Sequence, residues 1–202
     1  MPVQKGEDWG HPEPLPDDGV VIASDAEARA LVTKCRREGR SVPTLGLIGG
    51  DLCRTLGGTG DAERLRSPEA MTFAVDLGAV LLQGRLHWFV AHLVARDRWW
   101  SDAFVAMNSA WLGHWNAGPK AHPGDGLLDC YDAQLSLVDR LKVRRRLPAG
   151  AHLPHPRITQ RRTKATEHFF DHPRAVWLDG EPLPPVEALI VRTEPAALTV
   201  VV

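Results

Sequence analysis

Sixteen prolines and eighteen glycines cut the chain into short segments, and this punctuation argues against a helical bundle. Between the breaks lie apolar runs of strand length. Residues 73–82, 104–108, 127–133 and 175–178 read as strands. The end of the chain is plainly β, with residues 188–192 and 197–202 flanking Thr193-Glu194-Pro195-Ala196 as a hairpin-like connection. The start has a different rhythm. Residues 20–23 read as a buried-type strand, and Ser24 or Asp25 is placed to cap a helix that runs to about Arg37 and stops at Gly39. Residues 44–48 read as a second strand, Gly49-Gly50 as a turn, and Asp51 as the cap of a short helix. The order predicts an α/β segment over residues 1–60, followed by a β-rich body over 61–202.

Other stretches are less determined. Residues 86–95 are apolar with two histidines, and their periodicity does not separate strand from helix. Residues 134–146 read as a helix with Leu135, Val138, Leu141 and Leu147 near one face. Residues 1–18 read as a loose tail or strap. They carry no basic start or apolar core of a signal peptide, and no run is long enough to cross a bilayer. Cys35, Cys53 and Cys130 are odd in number and scattered, which points to a reducing cytoplasm rather than a disulfide framework. The net charge of −1 favours no nucleic-acid partner.

The chemistry-bearing candidates are acidic. Asp179-Gly180-Glu181 sets two carboxylates about a glycine, either as a surface hairpin turn or as a proton-accepting pair. In Asp125-Gly126-Leu127-Leu128-Asp129, the Asp125 carboxylate and the Leu127 carbonyl can hold a hard cation, or the run can be a turn leading into a strand. Gly49-Gly50-Asp51 can offer backbone N–H groups to a phosphate but lacks the Lys-Ser/Thr pair of a phosphate loop. Between Arg140 and Lys164 there are nine basic residues and no acidic one, which suits an anionic membrane or a solvated face. Trp99, Trp100, Trp111 and Trp115 can line a pocket for an acyl chain or pack a core. No zinc spacing and no serine-hydrolase elbow is present.

Taken in order, four segments resemble the bacterial diacylglycerol kinase and lipid kinase family, related to sphingosine kinases and NAD kinases. They are the D-G-L-L-D run within residues 118–129, the G-x-H segment at Gly150-Ala151-His152, the D-G-E at Asp179-Gly180-Glu181, and the final residues 194–200. The resemblance implies a C-terminal β-sandwich and transfer of a phosphoryl group from ATP to a lipid hydroxyl. It implies Glu181 as general base with Asp179 in the same network, and Mg²⁺ near Asp125 and the Leu127 carbonyl with His122 as a third candidate. Upstream, the family's G-G-D-G-T loop corresponds to Ala23-Ser24-Asp25-Ala26-Glu27, where the aspartate survives and the glycines are gone. Its G-T-G-N-D-x-A-R motif corresponds to residues 48–54, with Gly50 at the asparagine position. Ser24, Asp25, Gly49, Gly50 and Asp51 are thus the implied nucleotide contacts, in a nucleotide lobe shorter than the family's. Two activities follow as expectations. One is a short lipid kinase. The other is a catalytically impaired homologue that binds lipid or a partner, peripheral at the inner membrane surface, with a homodimer or partner chain covering open sheet edges.

Overall fold

Two long neighbouring strands organise the protein, and the rest of the sheet grows outward from them. The computed structural model describes residues 9–202. In chain order the elements are β1 (Gly10–Pro12), β2 (Val20–Ile22), α1 (Asp25–Arg37), β3 (Leu45–Leu47), α2 (Gly50–Thr55), β4 (Met71–Leu82), β5 (Arg85–Phe89), β6 (His92–Arg96), β7 (Asp102–Met107), β8 (Leu128–Gln134), α3 (Leu137–Arg146), β9 (Ile158–Thr163), β10 (Ala165–Leu178) and β11 (Glu181–Val201). Two single 3-10 turns lie at Arg64–Arg66 and Leu147–Ala149.

β4 and β11 run antiparallel from Leu81 opposite Ile190 to Thr72 opposite Val201. The sheet continues in the order β1-β4-β11-β10-β6-β7-β8-β9, and β5 folds back on β4. Apolar residues of the long strands meet in a core of Val80, Phe89, Leu93, Phe104, Leu128, Val176, Leu178 and Leu189, all buried. Pleating explains the selection, because alternate residues of a strand share a face.

The α/β segment is joined to this body rather than set apart from it. β2 and β3 pair in parallel, and β3 pairs in parallel with the end of β11, Leu45 opposite Val200. Ala28 and Val32 of α1 share one buried cluster with Val75 and Leu77 of β4 and Val200 of β11. The boundary expected near residue 60 falls in a loop, and both sheet and core cross it. Ser24 is the N-cap of α1, its Oγ accepting from the Glu27 N–H at 3.2 Å, and Gly39 follows the helix with φ 65°. A left-handed residue there costs glycine little.

Several expectations need correction. The connection over 193–196 is a bulge and not a hairpin. β11 stays on β4 throughout, but Glu194 faces Leu77 while Leu198 faces Val75, so two extra residues are looped out around Ala196 (φ 49°). The dipeptide Glu-Pro made a turn attractive. The Asp76 carboxylate, which accepts from the Ala196 N–H at 2.8 Å, makes a bulge the outcome. Residues 86–95 are two strands, β5 and β6, broken at 90–91. α3 begins at Leu137, capped by Ser136, and its apolar face is not buried: Leu137, Val138 and Leu141 are 64%, 59% and 55% exposed, while Val143 points inward. The basic stretch includes an unforeseen strand, β9, on β8. Of the tail expected at residues 1–18, residues 1–8 lie outside the described part. The remainder is a strap, with β1 on β4 and the Trp9 indole donating to the Ala74 carbonyl at 2.9 Å. The three cysteines are free and buried. Among the described residues, no helix is long and apolar enough to cross a membrane.

Candidate functional site

The Asp179-Gly180 turn joins β10 to β11, with φ 50° and 83° and Leu178 opposite Glu181, the geometry of a tight type I′ hairpin. A surface turn would leave the aspartate in water. Asp179 instead is 6% exposed, and its carboxylate accepts from the backbone N–H groups of Val90, Ala91 and His92 at 2.9, 2.9 and 3.0 Å. These three donors lie where β5 ends and β6 begins, so Asp179 replaces the ladder partners that the break removes. Burial pushes its pKa up, opposed by His92 and by the three N–H bonds.

The His92 ring extends the network. Its Nε2 lies 2.9 Å from Asp51 Oδ2, and Asp51 also accepts from the Gly113 N–H. Burial would lower the pKa of His92, but the Asp51 bond and the charges of Asp179, Asp51 and Asp25 raise it on balance. Asp51 was expected to cap α2. It lies inside the first turn, and the capping is done from a distance by Asp25, whose carboxylate accepts from the N–H groups of Asp51 and Leu52. Asp25 is buried, and its pKa rises to about 6 through burial first and then the charges of Asp179 and Asp51. Sequence motifs lying 26 and 154 residues apart are thereby joined in the chain Asp25, Asp51, His92, Asp179.

The loops expected to meet a nucleotide are filled by the protein. The Ser24 hydroxyl takes the Glu27 N–H, and the Glu27 carboxylate takes the Ala23 N–H at 2.8 Å. The arrangement resembles a capping box, with the glutamate reaching one residue beyond the N-cap. A Cβ at Gly49 would lie 2.3 Å from the Ala23 carbonyl oxygen, and one at Gly50 would lie 2.5 Å from Asp25 Oδ1. These glycines let two loops of the chain approach each other. Arg54, the last residue of the second motif, lies over the Trp111 ring and donates to the Gly113 carbonyl at 3.1 Å.

Asp125, Leu127 and His122 do not converge as cation ligands. Asp125 Oδ1 accepts from the Leu127 N–H at 2.9 Å, and its other oxygen pairs with the Arg162 guanidinium. His122 Nδ1 lies 3.2 Å from the Gly124 N–H, and its ring rests on Trp9. Among the described residues no group of three His, Cys, Asp or Glu is placed to hold a metal. A resident guanidinium already neutralises Asp125, so this donor set does not fit Mg²⁺. Nearby Asp76 holds the turn, accepting from the Gly126 N–H at 2.6 Å as well as from Ala196. Asn108 bridges the two acidic groups, donating 2.8 Å bonds to the carbonyls of Asp76 and Val90. Asp125 belongs to the Asp76 group and Asp179 to the His92 group. Glu181 is exposed and makes no side-chain hydrogen bond or ion pair among the described residues.

Sequence reasoning missed His92 and Asp76. Asp76 had a signal, because a single ionisable residue inside an otherwise apolar strand must find a buried partner, whereas His92 opens a strand that also carries Arg96. An apolar cavity of about 310 Å³ has no acidic residue in its wall, and its Leu112 is the neighbour of Gly113, which donates to Asp51. Trp99, Trp100 and Trp115 line it with Leu137 and Leu141 of α3, while Trp111 is occupied by Arg54.

Residues 70–202 match the sequence family described as the YegS C-terminal NAD kinase beta sandwich-like domain. No curated protein matches the chain. Three solved structures from Bacillus anthracis str. Sterne share its fold. One, described as a diacylglycerol kinase, is 14% identical with a TM-score of 0.61, and covers 91% of this chain and 77% of its own. Two others, provisionally named diacylglycerol kinases, are 14% and 15% identical with TM-scores of 0.59 and 0.55. Each also covers 91% of this chain, and 76% and 77% of its own length respectively.

Proposed function

Because the chain belongs to the family of the YegS C-terminal NAD kinase beta sandwich-like domain, we propose that it is a lipid-kinase-like protein that binds lipid at an anionic membrane surface and is impaired in transfer from ATP. One observation carries the impairment. At both loops where a nucleotide phosphate would need backbone donors, the donors are taken by the chain's own carboxylates, Glu27 on Ala23 and Asp25 on Asp51 and Leu52. A polyanion would have to displace them and approach three carboxylates gathered around one imidazole. No step is assigned to Mg²⁺ here.

Lipid binding draws on the apolar cavity beside α3. The cavity is walled by tryptophans and aliphatic side chains, and α3 crosses it with an exposed apolar stripe. Arg144, Arg145 and Arg146 close the same helix, and Trp99 beside it is 66% exposed. Apolar residues flanked by arginines suit the interface of an anionic bilayer.

Calorimetric titration with magnesium-ATP is expected to show affinity weaker than millimolar, and micromolar affinity would overturn the impairment. Replacing residues 23–27 by Gly-Gly-Asp-Gly-Thr should restore measurable binding if the self-capped loop is the cause. Sedimentation with phosphatidylglycerol vesicles is expected to capture the wild type. Reversal of Arg144, Arg145 and Arg146 to Glu should lower that capture more than tenfold, at about 1 kcal/mol per basic residue.

A second activity is favoured by Glu181 itself. Its carboxylate is solvent-exposed and unpaired, immediately beyond the anchored Asp179, as a general base for a lipid hydroxyl would be. Phosphorylation of diacylglycerol by the wild type but not by Glu181→Gln would establish it.

A further inference from the structure

Arg29, Thr33 and Arg37 stand four residues apart on α1 and share one ridge, beside the ridge whose Ala28, Val32 and Cys35 are buried. With Lys34 they line a hollow of about 520 Å³, and His87 of β5 lines the same hollow. A second hollow, of about 370 Å³, shares His87 and Leu183 with the first and is lined by Arg85. Arg85 and His87 are two apart on β5, which pairs with β4 alone, so they share a face of an edge strand. Among the described residues, Glu38 is the one acid in either wall, and Arg40 holds it at 2.8 Å. Among the described residues, Arg29, Lys34, Arg37 and Arg85 enter no ion pair, and the Thr33 hydroxyl makes no hydrogen bond. The helix dipole accounts for Lys34 and Arg37 near the C-terminal end of α1. It does not account for Arg29 two turns earlier, or for Arg85 and His87 on a strand. Burial first, and then the charges of Arg37, Arg29 and Arg85, push the pKa of His87 down, which places these guanidinium groups near its ring. Like charges that face one hollow from two elements repel one another and focus a positive field there.

We infer that the notch between α1 and β5 binds a phosphoryl group carrying two negative charges, held by Arg29 and Arg37 from the helix and by Arg85 from the strand, with the Thr33 hydroxyl as a neutral donor. A tetrahedral ion presents oxygens on several sides and can meet both walls at once, whereas a carboxylate presents its two oxygens in one plane. The notch is distinct from the places already described. Ser24, Asp25, Gly49, Gly50 and Asp51 line neither of its hollows, and neither hollow shares a residue with the cavity beside α3. The inference goes beyond the lipid-surface reading and does not rest on it. Free phosphate and the headgroup of a phosphomonoester lipid carry the same group, and the test separates them.

The first arm is an NMR titration of the full chain at fixed pH and ionic strength, following the His87 ring and the amides of α1, with inorganic phosphate and separately with acetate. In the wild type phosphate should move these signals saturably, with a half-point roughly tenfold below that of acetate. Arg37→Gln with Arg85→Gln, both at exposed positions, should weaken phosphate roughly tenfold and leave the melting temperature without phosphate unchanged. The second arm is sedimentation with phosphatidylcholine vesicles containing phosphatidic acid. Capture that falls in the double variant identifies a headgroup as the source, and capture equal to the wild type's, with phosphate binding lost, identifies free phosphate. The inference is overturned if phosphate shows no saturable preference over acetate and capture is the same in both proteins, or if the phosphate preference survives in the double variant. Loss of vesicle capture on reversal of Arg144, Arg145 and Arg146, with phosphate binding intact, bears on the α3 surface alone.

Discussion

Around the first turn of α2, three carboxylates, an imidazole and backbone donors satisfy one another, whereas around α3 the protein leaves its interactions open. Asp25, Asp51 and Asp179 are engaged by four elements of the chain. At α3, Leu137, Val138, Leu141 and Trp99 face outward, and His152 Nδ1 lacks a partner. Motif aspartates invite a search for chemistry at the first region. Free valence lies at the second. An internal network stabilises the fold and leaves little for a ligand, while open groups carry a stability cost that a ligand can offset.

The contrast can be broken by truncating both regions and comparing unfolding. Asp179→Ala should have the largest effect, because three buried N–H groups lose their acceptor; a loss of about 3–5 kcal/mol is expected from denaturant unfolding. A loss below about 1 kcal/mol would mean that the network is not structural. Asp25→Asn comes next and sharpens the comparison through pH. The folded pKa of Asp25, about 6, exceeds the ordinary 3.8, so its contribution is fully present below 3.8 and is lost as pH rises through 6. The stability of the wild type relative to Asp25→Asn should therefore grow as pH is lowered from about 7.5 to about 4, by up to about 3 kcal/mol. The raised pKa of His92 acts in the same sense, and because Asp25 is the least of the groups that raise it, most of that contribution remains in Asp25→Asn. A flat difference across that window would remove Asp25 from the charged network. Ser24→Ala should cost about 1 kcal/mol, the usual worth of an N-cap. Smallest of all, Leu137→Ser with Leu141→Ser should change stability by less than about 0.5 kcal/mol while weakening capture by anionic vesicles. Substantial unfolding would show that the exposed stripe is part of the core.

Local signals were the legible ones. Ser24 and Gly39 bound α1 as their residue types predict, β4 follows its apolar run, and Asp179-Gly180 is the hairpin turn that the pair favours. What stayed hidden depends on partners far along the chain. Nothing near Asp51 says that Asp25 will cap its helix or that His92, 41 residues away, will take its carboxylate. Thr193-Glu194-Pro195-Ala196 carries turn chemistry, and only Asp76, 120 residues upstream of Ala196, makes it a bulge. The family pattern located Asp125 but not Arg162, whose guanidinium decides what that carboxylate can do. His152 was visible in its motif, yet its open nitrogen is a property of the packed wall.

The parallel pairing of β3 with the end of β11 has a mechanical corollary. Enzymes built from two lobes commonly work by closing on a hinge, and a hinge needs a place where few bonds cross. Here backbone ladder bonds and a continuous apolar cluster would have to rupture before residues 20–56 could swing against the body. The protein is welded where such machines bend, so residues 20–56 and the body are held as one piece.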